Sequence, residues 1–246
     1  MILALVGLHE THETGFTFRH RLPRERPVDR HAALVEAARG KRVIHVGFVD
    51  ELVEQKVEGH VWLHARLGEV ADELVGLDFS ERGVAWAQSQ GWAAHHVDCQ
   101  SEKDVDALGL APADVVVAGE ILEHLDAPGP FLRAMRLLAK PDGQLVVTTP
   151  NAYRLLNFLA PLSGRELVHP DHTLWSSPRT LRTLLEHAGW RVERLGYYAN
   201  PRRAVVSGSP AAKAAAHAAN GARWLVRRNR LAPWWSDGLI AWSRPA

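Results

Sequence analysis

The 246-residue chain is predicted to be an α/β protein with a mainly parallel, doubly wound sheet covered by helices on both faces. Three observations predict this. Short apolar runs rich in β-branched residues recur along the chain. Segments of helical length with one apolar face separate them. The run at 114–118 is apolar after its first residue and does not alternate, as a strand buried on both faces requires.

The elements follow in order. Residues 27–38 have a helical pattern, with Ala32, Leu34, Val35 and Ala38 clustered and Gly40 as a stop. Val43-Ile44-His45-Val46 is a first strand ending at Gly47. Leu63, Leu67, Val70, Ala71 and Leu74 follow at helical spacing. A second strand over 74–77 ends at Asp78, and Ser80 caps the next helix, which Gly91 closes. A weaker third strand over 93–97 ends at Asp98. The fourth strand, 114–118, precedes Gly119 and Glu120. A helix from about Pro130 carries Phe131, Leu132, Met135 and Leu138 on one face, and Pro141-Asp142-Gly143 breaks it. The fifth strand is 145–149. Ser177-Pro178 is a cap followed by proline at the first helical position. Strands over 191–197 and 238–242 complete the set, with a surface helical excursion between about 204 and 237.

Composition narrows the function. With 46% apolar and 23% charged residues and a formal net charge of +1, the chain matches an ordinary globular protein. Nothing in that charge calls for nucleic acid. The single cysteine, Cys99, excludes an internal disulfide and fits a reducing compartment. Residues 1–8 are apolar but lack a basic lead-in and run into His9-Glu10-Thr11-His12. They read as a packing segment of a cytoplasmic protein, with no membrane span. That His-Glu-Thr-His run has i, i+3 spacing, not the i, i+4 of a zinc-protease helix. Residues 1–40 form an N-terminal extension, a candidate lid or substrate-side helix, and 41–246 the main domain.

Parallel sheets place ligands at the carboxyl ends of their strands. Three acids fall there in succession: Asp78, Asp98 and Glu120. An acid after the second strand of such a sheet usually accepts from ribose hydroxyls. An acid after the third can accept from an adenine amino group.

Residues 113–151 read ADVVVAGEILEHLDAPGPFLRAMRLLAKPDGQLVVTTPNA with their neighbour. This segment closely resembles the strand-four-to-strand-five block of class I S-adenosylmethionine (SAM)-dependent methyltransferases. The subgroup it most resembles includes ubiquinone-type O-methyltransferases and sugar or natural-product methyltransferases. His172-Thr-Leu-Trp-Ser-Ser-Pro178 resembles the next block of that family, and the likeness runs over roughly 41–198. It implies a Rossmann-like seven-stranded sheet in the order 3-2-1-4-5-7-6, last strand antiparallel. It implies SAM as cofactor and a small-molecule methyl acceptor. It also places Gly47, with His45 and Phe48 of the same turn as cofactor-binding candidates, at the methionine portion, Asp78 on the ribose and Phe79 on the adenine. Asp98 and Cys99 border the adenine edge, and Gly119 and Glu120 lie beside the methyl group.

The first turn departs from the family pattern. It reads His45-Val-Gly47-Phe48-Val-Asp50-Glu51, with histidine where an acid is usual and one glycine where several are. Phe48 and Val49 must therefore take ordinary backbone angles or push the ligand outward. Asp50, Glu51 and His64 are candidates to hold the methionine amino group.

Methyl transfer to a hydroxyl needs a base, and histidine serves near neutral pH. His124, His169 and His172 are the candidates, with His124 also suited to bond a backbone carbonyl. His169-Pro-Asp171-His172 is not a recognised ligand spacing, so no metal is expected. The arginines at 19–30 and 223–230 are interleaved with acids as on a solvated surface. Trp224, Trp234 and Trp235 suit core packing, an acceptor cover or a homodimer contact. The leading reading is methyl transfer to a hydroxyl of a sugar or secondary metabolite. A catalytically degenerate binding protein and an RNA or protein methyltransferase are the alternatives.

Overall fold

The computed structural model describes residues 20–49, 62–199, 209–228 and 233–246. The segment 1–8, Asp50, Glu51 and the start of the 204–237 excursion lie outside them. So do the side chains of 222–228.

One eight-stranded sheet organises the chain: β1 (Val28–Asp29), β2 (Arg42–Val46), β3 (Glu73–Asp78), β4 (Ala94–His96), β5 (Ala113–Gly119), β6 (Ala139–Pro150), β7 (Trp190–Ala199) and β8 (Gly238–Pro245). Their order across the sheet is β1-β7-β8-β6-β5-β2-β3-β4. Strands β2 to β6 pair in parallel, and β8 runs antiparallel to β6 and β7. Without β1 this is the seven-strand order that the family likeness implies. The eighth strand is a two-residue addition, Val28 and Asp29, lying parallel to Tyr198 and Ala199. Two residues cannot show a period, so the sequence pattern there reads only as the approach to a helix.

Both faces of the sheet are buried, and alternate residues divide between them. Ile44, Val46, Val116, Ala118, Leu145 and Val147 face one core. Helices α5 (Pro128–Leu138) and α7 (Pro178–His187) cover it with Phe131, Leu132, Met135, Leu181 and Leu185. Val43, Val115, Val117 and Val146 face the other core. There α1 (Arg30–Ala38) and α2 (Leu63–Gly68) supply Leu34, Ala38, Leu63 and Leu67. The period of two thus persists inside strands that look uniformly apolar. The remaining helices are α3 (Glu81–Ser89), α4 (Glu102–Ala107), α6 (Leu155–Leu159) and α8 (Pro210–Arg228).

Local signals hold at the helix starts. Ser80 Oγ accepts from Gly83 N at 3.1 Å. Ser177 and Thr180 form a reciprocal capping box ahead of Pro178. Two boundaries differ from the sequence reading. Pro141-Asp142-Gly143 does not separate helix from strand; β6 already starts at Ala139, with a register irregularity against β5. The helical spacing from Leu63 to Leu74 ends at Gly68, because Leu74 is drawn into β3.

His45 sits on the α1–α2 face of β2, 3% exposed, its Nδ1 3.2 Å from His64 Nδ1. Phe48, Trp62 and Trp92 pack around His64. Desolvation depresses the pKa of both histidines, His64 to about 3. The unfolded chain binds a proton at each near pH 6.5, while the folded chain does not. Their stability contribution is therefore complete above 6.5 and is lost as pH falls toward 3. Each is expected to cost up to ~1.4 kcal/mol per pH unit below 6.5. Urea midpoints at about pH 5 and about pH 7.5 should differ less in His64→Phe than in wild type. An unchanged difference would refute the buried pair as its source.

Candidate functional site

Because β2 to β6 are parallel, Gly47, Asp78, Asp98, Glu120 and Asn151 come to one edge of the sheet. Tyr198 joins them, since β7 ends there opposite Gly238, where β8 begins.

The first turn is held by hydrogen bonds rather than by glycines. Gly47 takes φ +68° and donates to Leu77 O at 2.8 Å. A Cβ on it would lie 2.8 Å from Ile121 Cδ1. Phe48 and Val49 keep ordinary negative φ angles. The Asp78 carboxylate accepts from Val49 N at 2.8 Å and from Ser80 N at 2.9 Å. One side chain thus ties the turn after β2 to the turn after β3. His45 and the 1%-exposed Phe48 turn their side chains into the protein, and His64 is buried with His45.

Beside Asp78, the Phe79 ring is 73% exposed. Asp98 accepts from Gln100 N at 2.9 Å, and the Gln100 side chain in turn accepts from Ala127 N at 3.1 Å. Cys99 is buried between these acids. Desolvation first, then Asp78 and Asp98, push its thiol up to about 12. That leaves it protonated and rules it out as a nucleophile near neutral pH. A bare aromatic face flanked by two carboxylates fits an adenosine group: a ring to stack on, and acceptors for ribose hydroxyls and an amino group.

The edge around Glu120 is a polar network. Glu120 is the only non-glycine with positive φ among the described residues, at 59°. Its N donates to Thr148 O at 2.9 Å. Its carboxylate accepts a hydrogen bond from the Tyr198 hydroxyl. Arg30 Nε donates to Thr148 Oγ1 at 3.0 Å, and the absence of a Cβ on Gly119 leaves room for its guanidinium. Glu123 is 1% exposed and accepts from Thr149 Oγ1 at 3.0 Å. Burial, then the neighbouring Glu120, raise its pKa to about 8.

Sequence reasoning missed Arg30 and Tyr198 as members of this network. Nothing local marks them, because the start of α1 and the end of β7 deliver them from segments distant in the chain. Glu123 stood in the recognised Glu-Ile-Leu-Glu-His run, but its burial was not legible there.

The three candidate catalytic histidines meet. His124 ends a short 3-10 turn, Leu122–His124, and its ring lies 5.6 Å from that of His169 and 4.7 Å from that of His172. The latter two are 5.3 Å apart. Thr173 docks one segment on the other: its N donates to Glu123 O at 2.8 Å and its Oγ1 to Leu125 O at 2.8 Å. His172 has a lowered pKa from desolvation first, then His124 and His169. The exposed His124 ring thus belongs to a cluster with the other two.

The comparisons agree with this architecture. Residues 18–195 match the model of a methyltransferase domain family. The chain is 30% identical over 183 residues to the ubiquinone biosynthesis O-methyltransferase of Roseobacter denitrificans, covering 70% of this chain and 69% of that enzyme. A SAM-dependent methyltransferase from Archaeoglobus fulgidus superposes with a TM-score of 0.53 at 17% identity, over 87% of this chain and 90% of that one. The magnesium protoporphyrin IX methyltransferase of Synechocystis PCC 6803, solved with S-adenosylhomocysteine (SAH), gives 0.50 at 16% identity, over 88% and 80%. The family match, the relative's similarity and the sheet order together place this chain among the class I SAM-dependent methyltransferases.

Proposed function

We propose that the chain transfers a methyl group from SAM to a hydroxyl oxygen of a small molecule, such as a sugar or secondary metabolite. The observation that carries this is the histidine cluster beside the Glu120 loop, next to the edge that suits adenosine. SAM supplies the methyl group, activated on its sulfonium. In this reading the Gly47 turn receives the methionine portion and Asp78 the ribose. Phe79 stacks on the adenine, whose edge lies against Asp98 and Cys99. Gly119 and Glu120 border the reacting end, with Glu120 held in place by Tyr198.

The protein's task is then alignment of the acceptor and removal of its proton. His172 suits the second part, because desolvation and its histidine neighbours favour its neutral, proton-accepting form. His169 stands beside it, 3.3 Å from the Asp171 backbone N that donates to its Nδ1. His124 completes the wall. A relative whose name specifies O-methylation supports oxygen as the acceptor atom. Among the described residues, no helix is long and apolar enough to cross a membrane.

Binding comes first in the test. SAH or SAM at millimolar concentration is expected to raise the melting temperature, and no shift with either ligand would refute the reading. Labelled SAM offered with a panel of hydroxylated small molecules then identifies the acceptor. His172→Ala should keep the SAH-induced shift while turnover falls ~100-fold or more.

A further inference from the structure

We propose that His124, His169 and His172 form a binding site for a divalent transition metal such as zinc. One ring nitrogen from each residue lies within 4.8 Å of the others. Around a tetrahedral zinc with Zn–N bonds of 2.0–2.1 Å, such nitrogens stand ~3.4 Å apart. The gap closes by rotation of side chains, because His124 and His169 are exposed. His172 is the more fixed member, and its Nδ1 is buried without a hydrogen-bond partner among the described residues. A buried polar nitrogen of that kind calls for a ligand.

The donor set decides the class of ion. Among the described residues the ligand atoms that lie within 4.8 Å of one another here are three imidazole nitrogens and no carboxylate oxygen. Imidazole suits zinc, nickel, cobalt or copper, whereas magnesium and calcium take oxygen. Three protein ligands with a fourth position open is the pattern of a zinc that works on a bound oxygen. The sequence hid this set, because His169-Pro-Asp171-His172 lacks a ligand spacing and His124 comes from another segment.

The use of such an ion rests on the function proposed above. An acceptor hydroxyl in the open position would be acidified as zinc acidifies bound water. Its proton leaves to solvent, its oxygen bonds to the methyl carbon and the C–S bond breaks to release SAH, with His172 then serving as a ligand in place of the base. Binding of the ion rests on the three rings alone.

The experiment uses the full chain without a histidine tag, stripped with a chelator and titrated with Zn2+ by calorimetry, then with Co2+ by visible absorption. One equivalent should bind with micromolar affinity or better, and bound Co2+ should show the spectrum of a low-coordinate nitrogen site. His169→Ala/His172→Ala should weaken binding ~100-fold or more while the SAH-induced melting shift stays at the wild-type value. No binding by wild type, or an affinity that the double variant leaves unchanged, overturns the proposal. The SAH shift of the metal-free protein reports separately on the methyltransferase reading.

Discussion

Asp78→Ala is expected to abolish the SAH-induced melting shift and weaken SAH binding by more than ~100-fold. Two losses combine. The proposed contact with the ribose disappears, and hydrogen bonds to a charged group each contribute ~1.5–3 kcal/mol. The same carboxylate also accepts from Val49 N and Ser80 N, so its removal frees two turns at once. The turn after β2 has only Gly47 of the glycines usual in the family, and Asp78 holds its Val49 N while Trp62 Nε1 donates to Phe48 O. Asp78→Asn separates the two roles. Its amide oxygen retains one acceptor for the backbone, while the charge is gone. Its NH2 faces the other backbone N–H, so it should melt between wild type and the alanine variant and bind SAH at least ~10-fold more weakly. Calorimetry with SAH checks both variants, and an alanine variant within about threefold of wild type would remove Asp78 from the cofactor edge.

Gly47→Ala should be strongly damaging at the site. At φ +68° an L-residue pays ~1–2 kcal/mol. The new Cβ would also stand 2.8 Å from Ile121 Cδ1, closer than packed carbons approach. Overpacking of this kind costs ~1–3 kcal/mol. The turn cannot drift away to relieve it, because Gly47 N is bonded to Leu77 O and Val49 N to Asp78. The sum corresponds to a melting temperature lower by ~5–15 °C in a chain of this size. Adding Ile121→Ala removes the clash but not the backbone strain. The double variant should regain part of the melting temperature relative to Gly47→Ala, with SAH affinity still reduced. No recovery at all would show that Ile121 does not set the cost.

Much of the frame was legible because it depends on neighbours in the chain. The apolar run at 114–118 could only be a covered strand, and it is β5. Ser80 and Ser177-Pro178 announced helix starts through capping chemistry that works within three residues. The acids at 78, 98 and 120 were placed at one edge by the parallel order of the strands. The reading of side-chain direction at the first turn was weaker. His45 and Phe48 follow the strand closely enough to be named with Gly47, yet both turn into the core. An aromatic cluster drawn from Trp62, His64, Trp86 and Trp92 receives them, and its assembly depends on helices distant in sequence.

The amino-acid sequence by itself determined the alternation of strands and helices, the caps, and which acids end which strands. Each of these follows from a periodicity or a hydrogen bond that spans a few residues. Tertiary structure alone decided the rest. It added β1 to the edge, brought Arg30 to Thr148, and set Tyr198 on Glu120. It buried Glu123 and joined His124 to His169 and His172 through the docking of Thr173. The physical reason is common to all of them. Burial and side-chain proximity between distant segments depend on how the elements pack, and no local pattern in the chain encodes which side chains will then meet.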